Sequence, residues 1–107
     1  MAWTTVCQKG ELTEGRGLYV EVDGFRLAVF LHNDQPHVID NTCPHAGGNL
    51  ADGFIDDGCA VCPLHYWAFR LDNGQLRESP GVAISVYPIR IHEYNGKTLV
   101  QADLPMA

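Results

Sequence analysis

Two short motifs near the middle of the chain combine side chains that bind transition metals. Cys43-Pro44-His45 and Cys62-Pro63-Leu64-His65 each supply one thiol and one imidazole, and 16 residues lie between His45 and Cys62. Thiolate and imidazole groups are the ligands that zinc and iron–sulfur centres take from proteins. The order of the ligands along the chain therefore decides which kind of site they predict.

The order Cys, His, Cys, His favours a cluster of two irons. Zinc sites with two cysteines and two histidines usually pair cysteine with cysteine and histidine with histidine along the chain. Two loops lying side by side, each with one cysteine and one histidine, would bring both thiolates to one iron and both imidazoles to the other. A structural zinc site on the same four residues is the alternative.

The residues around the ligands suit that task. Pro44 and Pro63 fix the backbone just after each cysteine and remove a hydrogen-bond donor. Gly47 and Gly48 lack side chains, so their N–H groups can approach bridging sulfides and help to set the potential. We expect Ser79-Pro80-Gly81 to form a third loop that covers the cluster, with a plain surface turn as the alternative.

Turn residues divide the rest of the chain into short apolar segments. The turn signals are Asp23-Gly24, Asn33-Asp34-Gln35-Pro36, Asp56-Asp57-Gly58, Asp72-Asn73-Gly74 and Asn95-Gly96. Asp-Gly and Asn-Gly pairs supply the positive φ angles of tight hairpins. The predicted strands are Leu18–Val22, Phe25–Leu31, His37–Asp40, Cys59–Val61, Ala68–Leu71, Ala83–Tyr94 and Lys97–Gln101. No segment has the pattern of an amphipathic helix of ten or more residues, so we predict an all-β fold of antiparallel strands.

The predicted organisation is a single domain covering residues 1–107. A base is expected from about residues 1–40 and 83–107, with an inserted cluster-binding subdomain of about residues 41–82. The segment 41–58 is rich in glycine and is expected to be loop. In this layout a rigid sheet presents the ligands on loops at one end of the molecule.

Composition excludes several other classes of function. The chain has 107 residues and a net charge of −6, whereas a nucleic-acid binder normally carries a basic patch. The longest apolar runs, such as Leu27–Leu31, are too short to cross a bilayer, and residues 1–10 do not resemble a secretory signal. We therefore expect a cytoplasmic protein that binds no membrane and no nucleic acid. Its four cysteines then favour metal binding over disulfides.

The segment from Asn41 to Gly74 resembles the Rieske iron–sulfur family, whose members carry a C-x-H motif followed at a similar spacing by C-x-x-H. The resemblance implies small stacked antiparallel sheets and one [2Fe–2S] cluster near the tip of the protein. It also implies that Cys43 and Cys62 bind the buried iron, while His45 and His65 bind the exposed one.

Other positions indicate which branch of the family the chain resembles. Respiratory members carry two further cysteines that form a disulfide, and the matching positions here are Gly48 and Leu64. They also carry a serine and a tyrosine that donate toward the cluster, where this chain has Trp67 and Phe69. With fewer donors, we expect a potential in the lower half of the roughly −150 to +300 mV range of Rieske centres. Most relatives have glycine after the second ligand histidine, and here it is Tyr66.

Without these features of the respiratory members, the chain resembles the Rieske-type ferredoxins of oxygenase systems. That resemblance implies a one-electron carrier which takes electrons from a flavin-dependent reductase and passes them to an oxygenase. A second interpretation is the small subunit of an assimilatory NADH-dependent nitrite reductase, with its large subunit as the electron acceptor. A third, from a different class, is a structural zinc-binding module. In none of these does the chain act as an enzyme alone, and we predict no catalytic residue.

The remaining notable residues have structural roles in this interpretation. Cys7 and Cys59 are expected to be buried free thiols. The expected core aromatic residues are Trp3, Trp67, Phe69 and Tyr87. Surface or strand histidines are expected at positions His32, His37 and His92. Solvated turns are expected to hold Asp52, Asp56 and Asp57, with partner recognition as the alternative.

Overall fold

The structure is a computed structural model that describes residues 2–44 and 47–105. These ranges form twelve β-strands and two single-turn 3₁₀ helices, Lys9–Glu11 and Leu50–Asp52. The strands are β1 (Ala2–Gln8), β2 (Gly17–Val22), β3 (Phe25–His32), β4 (Gln35–Asp40), β5 (Phe54–Asp56), β6 (Cys59–Val61), β7 (Ala68–Arg70), β8 (Gln75–Leu76), β9 (Ser79–Ala83), β10 (Val86–Tyr87), β11 (Ile89–Tyr94) and β12 (Lys97–Leu104). The predicted all-β fold class is confirmed.

The strands form three antiparallel sheets. Sheet A has the strand order β1-β12-β11, sheet B has the order β10-β4-β3-β2, and sheet C has the order β5-β6-β7-β8-β9. Sheet A joins the two ends of the chain, because Ala2 pairs with Leu104 and Gln8 with Leu99. Sheet C is built from residues 54–83 alone and carries the second ligand motif between β6 and β7.

In the described ranges, two-residue turns with positive φ at both positions connect four of the strand pairs. Asp23-Gly24 lies between the paired residues Val22 and Phe25, and both turn residues have positive φ angles of 51° and 81°. The same arrangement occurs at residues 33–34, 57–58 and 95–96. Positive φ at both positions gives a turn whose twist matches that of the flanking strands. The turn residues therefore fix the register of these hairpins, as the sequence predicts.

Sheet B is the middle layer of the protein. Residues Leu27–Leu31 of β3 are all buried, and alternate side chains point to opposite faces. Leu27, Val29 and Leu31 pack with residues of sheet A, whereas Ala28 and Phe30 belong to the cluster that contains Cys43 and Cys62. A strand buried on both faces needs a continuous apolar run instead of alternation. The core around these two cysteines is therefore supported directly by the central strand.

The predicted strand Ala83–Tyr94 is wrong as one element. The segment divides into the end of β9, then β10 in sheet B and β11 in sheet A. Pro88 separates the last two, and its carbonyl accepts a hydrogen bond from Asp103 N–H at 2.9 Å. Because proline has no N–H, it cannot continue a strand ladder. The chain passes from one sheet to the next at this residue.

Three further differences concern strands that the sequence does not reveal. The predicted third loop at Ser79-Pro80-Gly81 belongs to β9, which pairs with β8. The segment 41–58 is not all loop, since it contains the 3₁₀ turn Leu50–Asp52 and strand β5. Strand β1 was not predicted either, and its partner β12 lies at the other end of the chain. The division into a base and an inserted subdomain at 41–82 stays a prediction.

The helices give no sign of a membrane-spanning segment. Within the described ranges, neither 3₁₀ turn nor any other helical segment has the length and apolar character that crossing a bilayer requires.

Asp40, at the end of β4, ties the chain around β10 to sheet B. Its N–H donates to Ser85 O at 3.0 Å, its Oδ2 accepts from Ser85 N–H at 3.0 Å, and its Oδ1 accepts from the Tyr87 hydroxyl at 2.7 Å. Burial raises the pKa of Tyr87 to about 12, and the hydrogen bond to the Asp40 carboxylate adds to the effect. The hydroxyl therefore stays protonated in the fold at a pH where free tyrosine ionises.

We expect Tyr87→Phe to remove part of the alkaline sensitivity of the protein. In the wild type, unfolded Tyr87 ionises near pH 10 and folded Tyr87 near pH 12, so stability falls as pH rises through this window. The variant should lose about 1.5 kcal/mol of stability at pH 7, as expected for a hydrogen bond to a charged group. Urea unfolding at several pH values from 7 to about 12 measures both effects. Tyr94→Phe, on the exposed strand β11, is the control, and an equal alkaline slope in all three proteins would contradict the prediction.

Candidate metal centre

The two predicted ligand motifs form loops with the same hydrogen-bond closure. In loop 1, residues 43–48, Cys43 N–H donates to Gly48 O at 2.9 Å and Cys43 O accepts from Gly47 N–H at 2.8 Å. In loop 2, residues 62–67, Cys62 N–H donates to Trp67 O at 2.8 Å and Cys62 O accepts from Tyr66 N–H at 3.1 Å. Each cysteine is thus bonded to the residues four and five positions later. The repeated closure presents two thiols from equivalent places.

The thiols of Cys43 and Cys62 meet inside the protein. Both residues are 1% exposed and belong to one apolar cluster with Phe30, Leu50 and Phe69. Burial raises the pKa of the Cys62 thiol, the Leu64 N–H lowers it, and a hydrogen bond with the Cys43 thiol raises it again. Two adjacent buried thiolates repel each other unless a cation lies between them. Because metals bind the thiolate form, a metal centre supplies that cation.

Gly48 leaves the space that the thiols occupy. A Cβ at this position would lie 2.9 Å from Cys62 Sγ and 3.1 Å from Leu64 Cδ1. Loop 1 therefore passes over the sulfur of loop 2 at a distance that only glycine permits. The donor set, the adjacent thiols and this close approach all fit a cluster bound between the two loops.

His65 lies on the outer side of loop 2. Its side chain is exposed and its φ angle is +81°, in a region that residues other than glycine rarely adopt. Tyr66 follows with a φ of +59°, so two consecutive residues are left-handed. Strained backbone of this kind is concentrated at functional sites. The loop bends at these two residues, between the buried Cys62 and the strand β7.

The fourth predicted ligand, His45, lies outside the described residues. Within the described ranges, no three His, Cys, Asp or Glu side chains come together around one point. A [2Fe–2S] centre does not require such a point, because its two irons take their ligands separately. The structure thus brings two of the four predicted ligands into contact and places the third, His65, on the neighbouring surface.

The tip of loop 2 exposes apolar side chains on both sides of His65. Leu64 is 47% exposed and Tyr66 is 68% exposed, the largest value among the exposed large hydrophobic residues of the described chain. A hydrophobic surface beside a polar group is typical of protein contact sites. In the sequence, Tyr66 stands out because it takes the place of a glycine, but its exposure is visible only in the structure.

Other sequence predictions have mixed outcomes. Cys7 and Cys59 are buried and free, and burial raises the pKa of the Cys7 thiol to about 11. Phe69 is fully buried, and Trp67 packs against the same cluster, which confirms that both face inward. Trp3 is not a core residue, because it is 38% exposed and carries the Arg90 guanidinium 4.6 Å above its ring. All three predicted turn aspartates are exposed, but only Asp57 lies in a turn, since Asp52 ends the 3₁₀ helix Leu50–Asp52 and Asp56 ends strand β5.

The histidines outside the motifs lie on strands, as predicted. His92 is exposed on β11, and His32 and His37 are partly buried on β3 and β4. Burial lowers the pKa of His37, and the neighbouring His32 adds to the effect. Their rings are 6.4 Å apart between centroids.

Asn41 is the functional candidate that sequence reasoning missed. It is 1% exposed, lies two residues before Cys43 and uses its side-chain amide within the loop. A polar residue directly between an apolar strand and a ligand motif is the signal that points to it.

Comparison with known proteins places these features in context. The profile of the family described as Rieske [2Fe-2S] domain matches residues 2–88. The ferredoxin component of the naphthalene 1,2-dioxygenase system from Pseudomonas aeruginosa is 31% identical over 90 residues, which cover 83% of this chain and 86% of that protein.

Two solved structures show the same fold along most of the chain. A Mycobacterium tuberculosis protein described as the small subunit of an NADH-dependent nitrite reductase superposes with a TM-score of 0.84 at 29% identity, covering 98% of this chain and 97% of that one. A chain from a complex of reduced oxygenase and oxidized ferredoxin in carbazole 1,9a-dioxygenase superposes with a TM-score of 0.75 at 28% identity, covering 91% of this chain and 99% of that one.

Proposed function

Because the chain belongs to the Rieske [2Fe-2S] domain family, we propose that it is the electron-carrying component of an oxygenase system. A Rieske domain binds a [2Fe–2S] cluster through two cysteines and two histidines. When bound, the cluster takes up and gives back one electron. We assign its ligands in this chain to Cys43, His45, Cys62 and His65.

The contact between the buried thiols of Cys43 and Cys62 supports this assignment most strongly. Two separate loops, each closed by the same pair of backbone hydrogen bonds, bring these thiols together. The exposed His65 beside them supplies the imidazole that a mixed Cys/His site needs on the solvent side. A zinc module on these residues is the competing interpretation, and the metal itself distinguishes the two.

Loop 2 also supplies a surface on which a partner can dock close to the cluster. Leu64 and Tyr66 flank His65 and are both substantially exposed. The protein carries a net charge of −6, which favours encounter with a basic partner surface. We propose a flavin-dependent reductase as the electron donor and an oxygenase as the acceptor. The name of the naphthalene dioxygenase ferredoxin component and the carbazole dioxygenase complex support the oxygenase.

A role as the small subunit of an assimilatory NADH-dependent nitrite reductase is the second candidate. It is supported by the superposition, over nearly the whole of both chains, on the Mycobacterium tuberculosis protein described in that way. A fixed subunit should co-elute with its large subunit in gel filtration. A carrier should instead dissociate from its donor and acceptor after each electron transfer and be reduced and reoxidised many times. The cytoplasmic location stays a prediction.

Electron paramagnetic resonance of the dithionite-reduced protein tests the proposed function. We expect a rhombic signal with an average g value below that of the free electron, and nitrogen couplings from coordinated imidazole in pulsed spectra. The potential of the same sample should lie in the lower half of the roughly −150 to +300 mV range of Rieske centres. A potential above about +200 mV, near the top of that range, would contradict the branch assignment.

Two cysteine variants provide the matched control. Cys43→Ser should lose the signal, whereas Cys59→Ser changes an equally buried thiol three residues before Cys62 and should retain it. A colourless wild-type protein that contains zinc and gives no signal would overturn the proposal.

A further inference from the structure

The two ligand loops share a closure but differ in what supports them. Loop 2 joins strands β6 and β7, and the residues at its base, Val61 and Ala68, are paired in sheet C. Loop 1 begins after β4 and leads to the 3₁₀ turn Leu50–Asp52. Residues 42–44 and 47–49 lie outside the strands, and Thr42 and Asn49 form only an isolated bridge. Interactions other than strand pairing must therefore hold loop 1 in place.

Asn41 makes four hydrogen bonds at the base of loop 1. Its N–H donates to Arg26 O at 3.0 Å, and its carbonyl accepts from Leu50 N–H at 2.7 Å. Its Oδ1 accepts from Ala51 N–H at 3.0 Å, and its Nδ2 donates to Asn49 Oδ1 at 2.9 Å. The backbone of Asn41 thus continues the β3–β4 pairing, while its side chain holds the returning end of the loop.

The equivalent position in loop 2 shows what the amide replaces. Ala60 lies two residues before Cys62, is fully buried, and pairs with Ile55 on one side and Phe69 on the other. Asn41 lies two residues before Cys43 and is equally buried. Its side-chain oxygen accepts from a backbone N–H, as a neighbouring strand's carbonyl would. The same task is done by strand pairing in one loop and by a side-chain amide in the other.

We propose that Asn41 is the positioning residue that keeps the thiol of Cys43 against that of Cys62. This inference rests on the proposed binding of the cluster by these cysteines. Asn41 itself touches neither thiol in this role, since it acts through the stem of loop 1. Without its amide, Asn49 Oδ1 loses its donor, and the N–H of Ala51, a residue only 8% exposed, loses its acceptor. Leaving a buried polar group without a partner is costly, so the stem should open more often.

Asn41→Asp and Asn49→Asp form a matched pair of variants. Asn41→Asp keeps the acceptor for Ala51 N–H but removes the donor to Asn49 and buries a carboxylate against Asn49 Oδ1. Asn49→Asp makes the same change from amide to carboxylate on the other side of this contact. It lies at an exposed residue and keeps the acceptor that Asn41 Nδ2 uses, losing only the 3.5 Å surface contact from Asn49 Nδ2 to Asp52 Oδ2. Asn49→Ala removes that acceptor together with the exposed Asp52 contact and should have an intermediate effect.

Hydrogen exchange of the purified, cluster-loaded proteins tests the inference. In Asn41→Asp, we expect exchange across residues 41–51 to accelerate by about 10- to 100-fold, because the variant loses the Asn41–Asn49 hydrogen bond and buries a carboxylate against Asn49 Oδ1. Exchange across residues 59–70, which include loop 2, should stay within about twofold of wild type, because strand pairing holds it. Asn49→Asp should match wild type in both segments. Equal acceleration of both loops in Asn41→Asp, or unchanged exchange in loop 1, would overturn the proposal.

Release of iron to a chelator provides a second readout. We expect it to be about tenfold faster from Asn41→Asp than from Asn49→Asp. Equal release rates from the two variants would count against a positioning role. If the wild-type protein binds no cluster, the proposed function fails, while the exchange comparison still measures what holds loop 1.

Discussion

Gly48→Ala is expected to lower the fraction of protein that retains its cluster by about tenfold or more. The added Cβ would lie 2.9 Å from Cys62 Sγ and within 3.2 Å of Leu64 Cγ, so the sulfur has to move. Cys62 is 1% exposed, so the surrounding packing leaves its sulfur little room to move. Overpacking of a buried site typically costs about 1–3 kcal/mol, and 1.4 kcal/mol is a factor of ten. Iron and sulfide per chain, together with visible absorption, measure the loss.

Two other glycine variants separate the steric effect from backbone effects. Gly81→Ala adds a methyl group where nothing lies within 4 Å of the new Cβ, and it should retain the cluster. Gly47→Ala also meets nothing within 4 Å, but its φ of +70° is unfavourable for alanine. That variant should lose about 1 kcal/mol of stability without direct displacement of a thiol. A fully loaded Gly48→Ala protein would contradict the prediction.

The hairpins are the part of the fold that local sequence specifies well. Asp23-Gly24 and Asn95-Gly96 determine turns whose φ angles are positive, and the flanking strands follow in register. The continuous apolar run Leu27–Leu31 marks the strand that is buried on both faces. By contrast, β1 pairs with a strand about one hundred residues away, between Ala2 and Leu104, and no local pattern identifies that partner. The crossing between sheets at Pro88 likewise depends on Asp103, which is distant in the sequence.

The chemistry of the candidate site was predictable, whereas its geometry was not. Residue types and spacing predict Cys43 and Cys62 as ligands, but their contact depends on how two separate loops fold. The role inferred for Asn41 depends on Asn49 and Ala51, which reach it only when loop 1 closes. Composition alone also does not show that Tyr66 is exposed, since an aromatic residue beside a core strand is more often buried. The sequence therefore predicts which side chains bind the metal, whereas the packing of the loops decides which residues lie around them.

Tyr66→Gly is expected to make the protein more stable and its contact with the electron acceptor weaker. Tyr66 has a φ of +59° directly after His65 at +81°, and the matching position of loop 1 is Gly47 at +70°. A left-handed non-glycine residue costs about 1–2 kcal/mol, partly offset in the variant by the greater freedom of glycine when unfolded. Because the side chain is 68% exposed, its removal sacrifices little burial. A net gain of about 0.5–1 kcal/mol in urea unfolding is therefore expected.

Comparison with Tyr66→Ala separates the two effects of this residue. Both variants remove the aromatic ring beside His65. The concentration of this protein that half-saturates the acceptor should therefore rise about tenfold in both, as the loss of an interface tyrosine predicts. Only the glycine variant relieves the left-handed backbone, so only it should gain stability. Unchanged half-saturation in both variants would show that Tyr66 lies outside the docking surface. A glycine variant no more stable than the alanine one would show that the bend at residues 65–66 carries no strain. If both expectations hold, the protein keeps a strained aromatic residue beside a proposed ligand because the partner contact requires it.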